Sequence, residues 1–193
     1  MIPYMPSVIG ISGYPGHGKD TVAKAFGLYG DFVKYSLADP LYELVSFTFG
    51  VPVDKLRDRS YKDLPMLELG NKSPRQVLQI VGTDYMRSIN DHVWIDKFLD
   101  YYHKVTPSTQ IVVPDVRFRN EQAEIKKLGG ITIGVIDPRK PPDSKVISHK
   151  SEHDVPYLVN SATYKIINDS TIENLLLKVK DIFEHQESLG PII

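Results

Sequence analysis

The segment Gly13-Tyr-Pro-Gly-His-Gly18-Lys19-Asp20-Thr21 constrains this chain more than any other stretch. It follows the apolar run Ser7–Ile11 and precedes Val22, Ala25 and Phe26, which are spaced as one face of a helix. A strand that turns through glycines into a helix can aim successive backbone N–H groups inward, and the helix N-terminus adds its positive end. Lys19 is then placed to reach phosphate oxygens, so Gly13, Gly16, His17, Gly18, Lys19, Asp20 and Thr21 are the expected phosphate-binding residues. One position departs from the common pattern: Asp20 stands where Ser or Thr usually ligates Mg²⁺, and Thr21 follows one step later. Asp20 and Thr21 are alternative metal ligands, both hard oxygen donors suited to magnesium.

Four further short strands are expected at Phe32–Ser36, Gln110–Val113, Ile131–Ile136 and Tyr164–Ile167. They alternate with helical patterns, which predicts an α/β fold with a parallel sheet covered by helices. Ser73, Pro74 and Gln76 spell a capping box that opens one helix, and a second runs from about Asn120 to Leu128 before Gly129-Gly130. Ser170 and Glu173 predict the start of the last helix, with an apolar stripe at Ile172, Leu175, Leu176, Val179, Ile182 and Phe183 and a stop at Gly190-Pro191. Val51–Lys72 and Pro138–Lys150 read as irregular, either mobile surface loops or lids.

Composition narrows the chemistry. The chain of 193 residues has no cysteine, which excludes thiol nucleophiles, disulfides and zinc-thiolate sites. A net charge of −1 gives no global field for a nucleic-acid polymer, so phosphate binding must be local. No stretch is apolar enough to span a membrane, and Met1–Pro6 does not read as a secretion signal, so a cytoplasmic protein is expected. One compact domain over residues 1–193 is the default.

The site of a second substrate is sought downstream. Arg75, Gln79, Thr83 and Arg87 recur at four-residue steps and form one drifting polar stripe if Gly82 leaves the helix unbroken. Two guanidinium forks and an amide suit a phosphate and a base edge, although a solvated face with surface ion pairs has the same pattern. Asp115 follows the third strand at the edge where ligands bind in open α/β sheets, with Arg117 and Arg119 beside it to neutralise phosphate charge; a carboxylate that merely favours a helix start is the competing reading. Asp39 could orient an acceptor or serve the turn before Pro40. Arg139, Lys140, Lys145 and Lys150 make a basic loop able to close over phosphates. His17, His149 and His153 show no metal-ligand spacing and read as solvated, and Trp94 reads as core or as pocket lining.

Together these motifs resemble the deoxynucleoside monophosphate kinases of bacteriophages. The resemblance lies in Gly-x-x-Gly-x-Gly-Lys-Asp-Thr at 13–21, Ser-Leu-Ala-Asp-Pro at 36–40, Ser-Pro-Arg-Gln-x-Leu-Gln-x-x-Gly-Thr-Asp at 73–84, Val-Pro-Asp-Val-Arg-Phe-x-Asn-Glu at 113–121 and Ser-Glu-His at 151–153. It implies a three-layer P-loop kinase fold: a five-stranded parallel sheet with helices on both faces, a monophosphate lobe at about 37–105 and a lid at about 138–153. It also implies ATP and Mg²⁺ as cosubstrates, a deoxynucleoside monophosphate as acceptor, and a supply of precursors for viral DNA synthesis, in the host cytoplasm if the chain is viral. No polymer or membrane partner is implied, and a homodimer is compatible with it. By this likeness Lys19 binds phosphates, Arg75, Gln79, Asp84 and Arg87 line the acceptor side and Arg139 belongs to the lid; together with the residue reading above, Lys19, Arg117 and Arg139 are the expected catalytic cations, and Asp39, Arg75, Gln79, Asp84, Arg87 and Asp115 the expected substrate-binding residues. Rival readings are a P-loop kinase for dephospho-coenzyme A or phosphomevalonate, and a nucleotide switch with no acceptor.

Overall fold

The computed structural model describes residues 7–141 and 149–189. Its five strands, β1 (Val8–Ser12), β2 (Phe32–Lys34), β3 (Gln110–Val113), β4 (Ile131–Ile136) and β5 (Tyr164–Ile167), form one parallel sheet in the order β2-β3-β1-β4-β5. Central β1 registers Ile9 with Val112 of β3 and with Ile131 of β4. A parallel strand covered on both faces must be apolar throughout, and all five residues of β1 are buried.

The two faces are filled differently. On one, Ile9, Ile11, Val112, Ile133 and Ile166 pack with helix α1 (Lys19–Tyr29), through Val22 and Phe26, and with the C-terminal helix, through Leu175 and Val179. Phe26 is fully buried and contributes about 2–3 kcal/mol by leaving water. On the other face two glycines let helices approach the strands closely. A Cβ at Gly10 would stand 2.7 Å from Ile125 Cδ1 in α7 (Arg119–Lys127), and one at Gly134 2.7 Å from Val159 Cα in α8 (Val155–Asn160), so both helices lie close on the strands.

The C-terminal helix, α9, spans Ile172–Leu189. Its first N–H groups meet the hydroxyl of Thr171, which accepts from Asn174 N at 3.3 Å, so the cap is one residue later than Ser170. Ser170 is held otherwise, its carbonyl accepting from Arg139 Nη1 at 3.1 Å. The expected apolar stripe is present except for Ile172, which is 64% exposed. The stop at Gly190-Pro191 lies outside the described residues. No helix of the described residues is long and apolar enough to cross a membrane.

Residues 37–101 form a compact unit of their own, apart from the unit of residues 1–36 and 102–193. It holds α2 (Asp39–Phe49), α3 (Val53–Arg57), α4 (Pro74–Gln79), α5 (Arg87–Ile89) and most of α6 (Val93–Tyr102). The capping box opens α4: Ser73 Oγ accepts from Gln76 N, and Gln76 Oε1 accepts from Ser73 N at 2.9 Å. The stretch 51–72 is more ordered than the irregular loop expected. It contains α3, a 3₁₀ turn at Leu67–Leu69 and a bridge from Met66 to Lys72, anchored by the buried Leu56, Met66 and Leu69.

Gly82 neither breaks nor continues the α-helix. Ile80–Met86 widens into a π-helical turn, a form enriched at functional sites. Two contacts hold this turn: a Cβ on Gly82 would stand 2.3 Å from Leu41 Cδ2, and the Gly82 carbonyl accepts the Trp94 indole N–H at 3.0 Å. Trp94 is therefore a core residue with its polar atom satisfied.

Candidate active site

The loop Gly13–Gly18 leaves the C-terminal end of β1, the strand at which the sheet order switches direction, with β3 on one side and β4 on the other. Ligands of open α/β sheets bind at such switch points. The loop is pressed onto β4: Gly13 has φ +148°, and a Cβ there would stand 2.3 Å from the Val135 carbonyl oxygen. α1 starts at Lys19, and its N-terminal amides face the same side as the loop.

Lys19 Nζ donates to the carbonyls of Gly13 at 2.7 Å and Tyr14 at 2.9 Å, so the ammonium folds back over the loop. Burial pushes its pKa down to about 8; Arg117 acts in the same direction, and Glu152, Asp20 and Asp115 oppose them. These five ionisable groups make one electrostatic cluster. Arg117 Nη1 donates to Glu152 Oε1 at 2.5 Å, and Glu152 is 4% exposed. Asp115 Oδ2 accepts from Ser36 Oγ at 2.6 Å at the end of β3. Asp20 is exposed in the first turn of α1, 3.8 Å from Lys34 Nζ, and Thr21 is half-buried.

The depressed Lys19 pKa has a measurable consequence. Because the unfolded chain keeps this proton to a higher pH, the folding stability due to Lys19 is lowest below pH 8 and recovers as pH rises toward the ordinary lysine value. An anion bound beside Lys19 would reverse the shift. If the loop binds a phosphate ligand, as its sequence leads one to expect, binding should take up about half a proton or more at pH 8.5 and progressively less toward pH 7. Calorimetry in buffers of different ionisation enthalpy reads this directly, and the uptake should vanish in Lys19→Met.

Arg139, expected in the lid, braces Asp137. Asp137 is 1% exposed and accepts from Arg139 N at 3.0 Å, Nε at 2.9 Å and Nη2 at 3.1 Å. The hydrogen bonds from the Arg139 side chain hold the Asp137 pKa down at about 2. The same guanidinium donates to the carbonyls of Asn168 at 3.0 Å and Ser170 at 3.1 Å, which ties the turn after β4 to the end of β5. Lys140 Nζ reaches the Gly16 carbonyl at 3.2 Å. Lys145 and the middle of the expected lid lie outside the described residues. His17 is 2% exposed, contrary to a solvated histidine, because both ring nitrogens find main-chain partners.

The remaining expected substrate residues belong to the unit 37–101. Asp39 opens α2 and accepts from Arg57 Nη2 at 2.5 Å, while the Arg57 guanidinium lies 4.6 Å from the Tyr42 ring centre. Arg75 forks onto Asp63, with Nε–Oδ1 at 2.6 Å and Nη2–Oδ2 at 3.2 Å, and this holds the Asp63 pKa below the ordinary carboxylate value. The four-residue series runs inward instead of staying on one solvated face. Arg75 and Gln79 are half-buried, Thr83 and Arg87 are 8% exposed, and Asp84 points outward on the π turn.

A model of the deoxynucleotide monophosphate kinase family matches residues 60–179. This chain belongs to that family. The kinase is 29% identical over 184 residues to an Acanthamoeba polyphaga mimivirus protein provisionally named deoxynucleotide monophosphate kinase, covering 89% of this chain and 93% of the relative. It is 26% identical over 241 aligned positions to the deoxynucleoside-5'-monophosphate kinase of Escherichia phage T5, covering 91% and 95%. Among solved structures it resembles shikimate kinase from Aquifex aeolicus, with TM-score 0.56 and 16% identity over 95% of this chain and 99% of that one. Dephospho-CoA kinase from Campylobacter jejuni has TM-score 0.56 at 12% identity, over 95% and 98%. Identities this low speak for the P-loop kinase fold alone.

Three residues of the kinase carry roles that the linear pattern did not assign. Glu152 stands inside the quoted Ser-Glu-His, yet only the fold shows that it meets Arg117, 35 positions away. Asp137 had no signal beyond ending a strand, and Asn168, which donates to the His17 carbonyl at 3.0 Å, had none.

Proposed function

We propose that this phosphotransferase moves the γ-phosphoryl group of ATP onto a deoxynucleoside monophosphate, yielding a deoxynucleoside diphosphate and ADP for DNA synthesis. The observation that carries this reading is the cluster of Lys19, Arg117 and the Gly13–Gly18 amides at the mouth of β1, in a chain whose residues 60–179 match the family model. An acceptor phosphate is already an oxyanion at neutral pH, so no side-chain nucleophile is required. One of its oxygens forms a bond to the γ phosphorus as the bond to the bridging β–γ oxygen breaks, and ADP leaves with that oxygen. The protein supplies position and charge. Lys19 leaves the Gly13 and Tyr14 carbonyls for phosphate oxygens, and Arg117 neutralises charge gathering on the transferred group.

Magnesium fits the oxygens present. Asp20, Thr21 and Asp115 are hard donors, and among the described residues no group of three or more His, Cys, Asp or Glu side chains forms a ready cage. That suits an ion that keeps most of its water and enters with nucleotide phosphates. When bound it would offset charge on the β and γ oxygens. Asp39, Arg75, Gln79, Asp84 and Arg87 in the unit 37–101 are proposed to serve the acceptor.

The test is ADP formation with Mg²⁺, ATP and each dNMP and NMP supplied separately, against a control without acceptor and one with dephospho-coenzyme A. Stimulation by deoxynucleotides supports the reading. Stimulation by dephospho-coenzyme A alone, or by no acceptor, would overturn it.

A further inference from the structure

The phosphate loop of this kinase is gripped from outside by groups that touch no substrate in the reaction proposed above. The Asp137 backbone N–H donates to His17 Nδ1 at 3.1 Å, so Nδ1 carries no proton, and Nε2–H donates to the Lys140 carbonyl at 2.9 Å. Both ring nitrogens are thereby used, and the imidazole is neutral in one defined tautomer. The same loop is held at two more atoms: Asn168 Nδ2 donates to the His17 carbonyl at 3.0 Å, and Lys140 Nζ to the Gly16 carbonyl at 3.2 Å. The Tyr14 ring closes the remaining side, edge-on to the imidazole with centroids 5.4 Å apart. The turn that grips His17 is itself rigid, because Arg139 forks onto Asp137 and reaches the carbonyls of Asn168 and Ser170.

Such a grip answers a physical problem. A loop that aims several N–H dipoles at one point repels itself when no anion is there, and its glycines, at φ +148°, +79° and +103°, give it many other conformations. We propose that His17 is a positioning residue that holds the phosphate loop in its binding conformation by clasping it to the Asp137–Lys140 turn. Neither ring nitrogen is left to contact a phosphate, so His17 acts through the loop amides. It sets nucleotide affinity more than turnover: without the clasp, binding must also order the loop.

This inference rests only on the nucleotide-binding half of the proposed reaction. The experiment is Mg·ADP binding by titration calorimetry on wild type, His17→Ala, His17→Asn and His17→Gln, with thermal unfolding recorded for each. The loss of two buried hydrogen bonds predicts affinity about tenfold weaker in His17→Ala. Asn offers an acceptor near Nδ1 and Gln a donor near Nε2, so at least one of the two is expected to recover most of the loss. Affinity within twofold of wild type in a folded His17→Ala overturns the inference. So does an equal loss in all three variants, since hydrogen bonding would then be irrelevant. If His17→Ala does not fold, the Asn and Gln variants decide: at least one must bind close to wild type. A wild type that binds ADP but phosphorylates no deoxynucleotide would sink the proposed acceptor and leave the clasp standing.

Discussion

Replacing Lys19 with alanine will lower the maximal rate of phosphoryl transfer about a hundred- to a thousandfold, the scale seen when one preorganised donor is removed from a transition state. The protein will stay folded. Lys19 is a cation in a site that pushes its pKa down to about 8, and its hydrogen bonds go to two loop carbonyls that water can serve instead. Its melting temperature should therefore equal or exceed that of wild type. Steady-state rates beside a thermal melt measure both quantities. Activity within tenfold of wild type would remove Lys19 from the chemistry, and a collapse of stability would mean that the lysine holds the loop together.

Gly13→Ala should do what Lys19→Ala does not, damaging fold and binding together. The new methyl group would stand 2.3 Å from the Val135 carbonyl oxygen, a main-chain atom in the sheet, at a φ of +148°. Neither partner can move without parting β1 from β4, so a loss of about 2–3 kcal/mol is expected. In a chain of this length that is a drop of about 5–10 °C in melting temperature. ADP affinity should fall at least about tenfold as the loop amides are displaced. Gly16→Ala is the control: its φ is +79°, but nothing lies within 4 Å of the added Cβ. It should lose only the backbone term, about 1 kcal/mol. Equal melting temperatures for the two variants would show that the contact with Val135 does not matter.

Local interactions were legible where they dominate. β3, β4 and β5 have the ends read from the sequence: β3 and β4 are mostly apolar runs buried along nearly their whole length, and the edge strand β5 buries only Ile166 fully. The Ser73 capping box forms as written because its donors and acceptors lie within four residues of each other. The last helix cap was misplaced by one residue, since Ser170 and Thr171 look alike locally and the Arg139 contact with the Ser170 carbonyl decides between them. Helices α2 and α6 went unread. Their apolar positions serve the 37–101 unit, in which Leu41 meets Gly82 and Trp94 reaches the Gly82 carbonyl, and neither contact has a signature in chain order.

The sequence by itself determined the α/β class, the glycine-rich loop between a strand and a helix, and the lysine at that helix's start, because each follows from neighbours a few positions apart. The tertiary structure alone decided what the other charged groups do. Arg117 meets Glu152, Arg139 reaches the carbonyls of Asn168 and Ser170, and His17 is buried between the Asp137 amide and the Lys140 carbonyl. The His17 contacts join residues 120 or more apart in the chain, and the Arg117–Glu152 pair 35 apart. A charged side chain takes its role from whichever opposite charge or carbonyl the fold brings within hydrogen-bond reach, and that distance is set by strand order and helix packing.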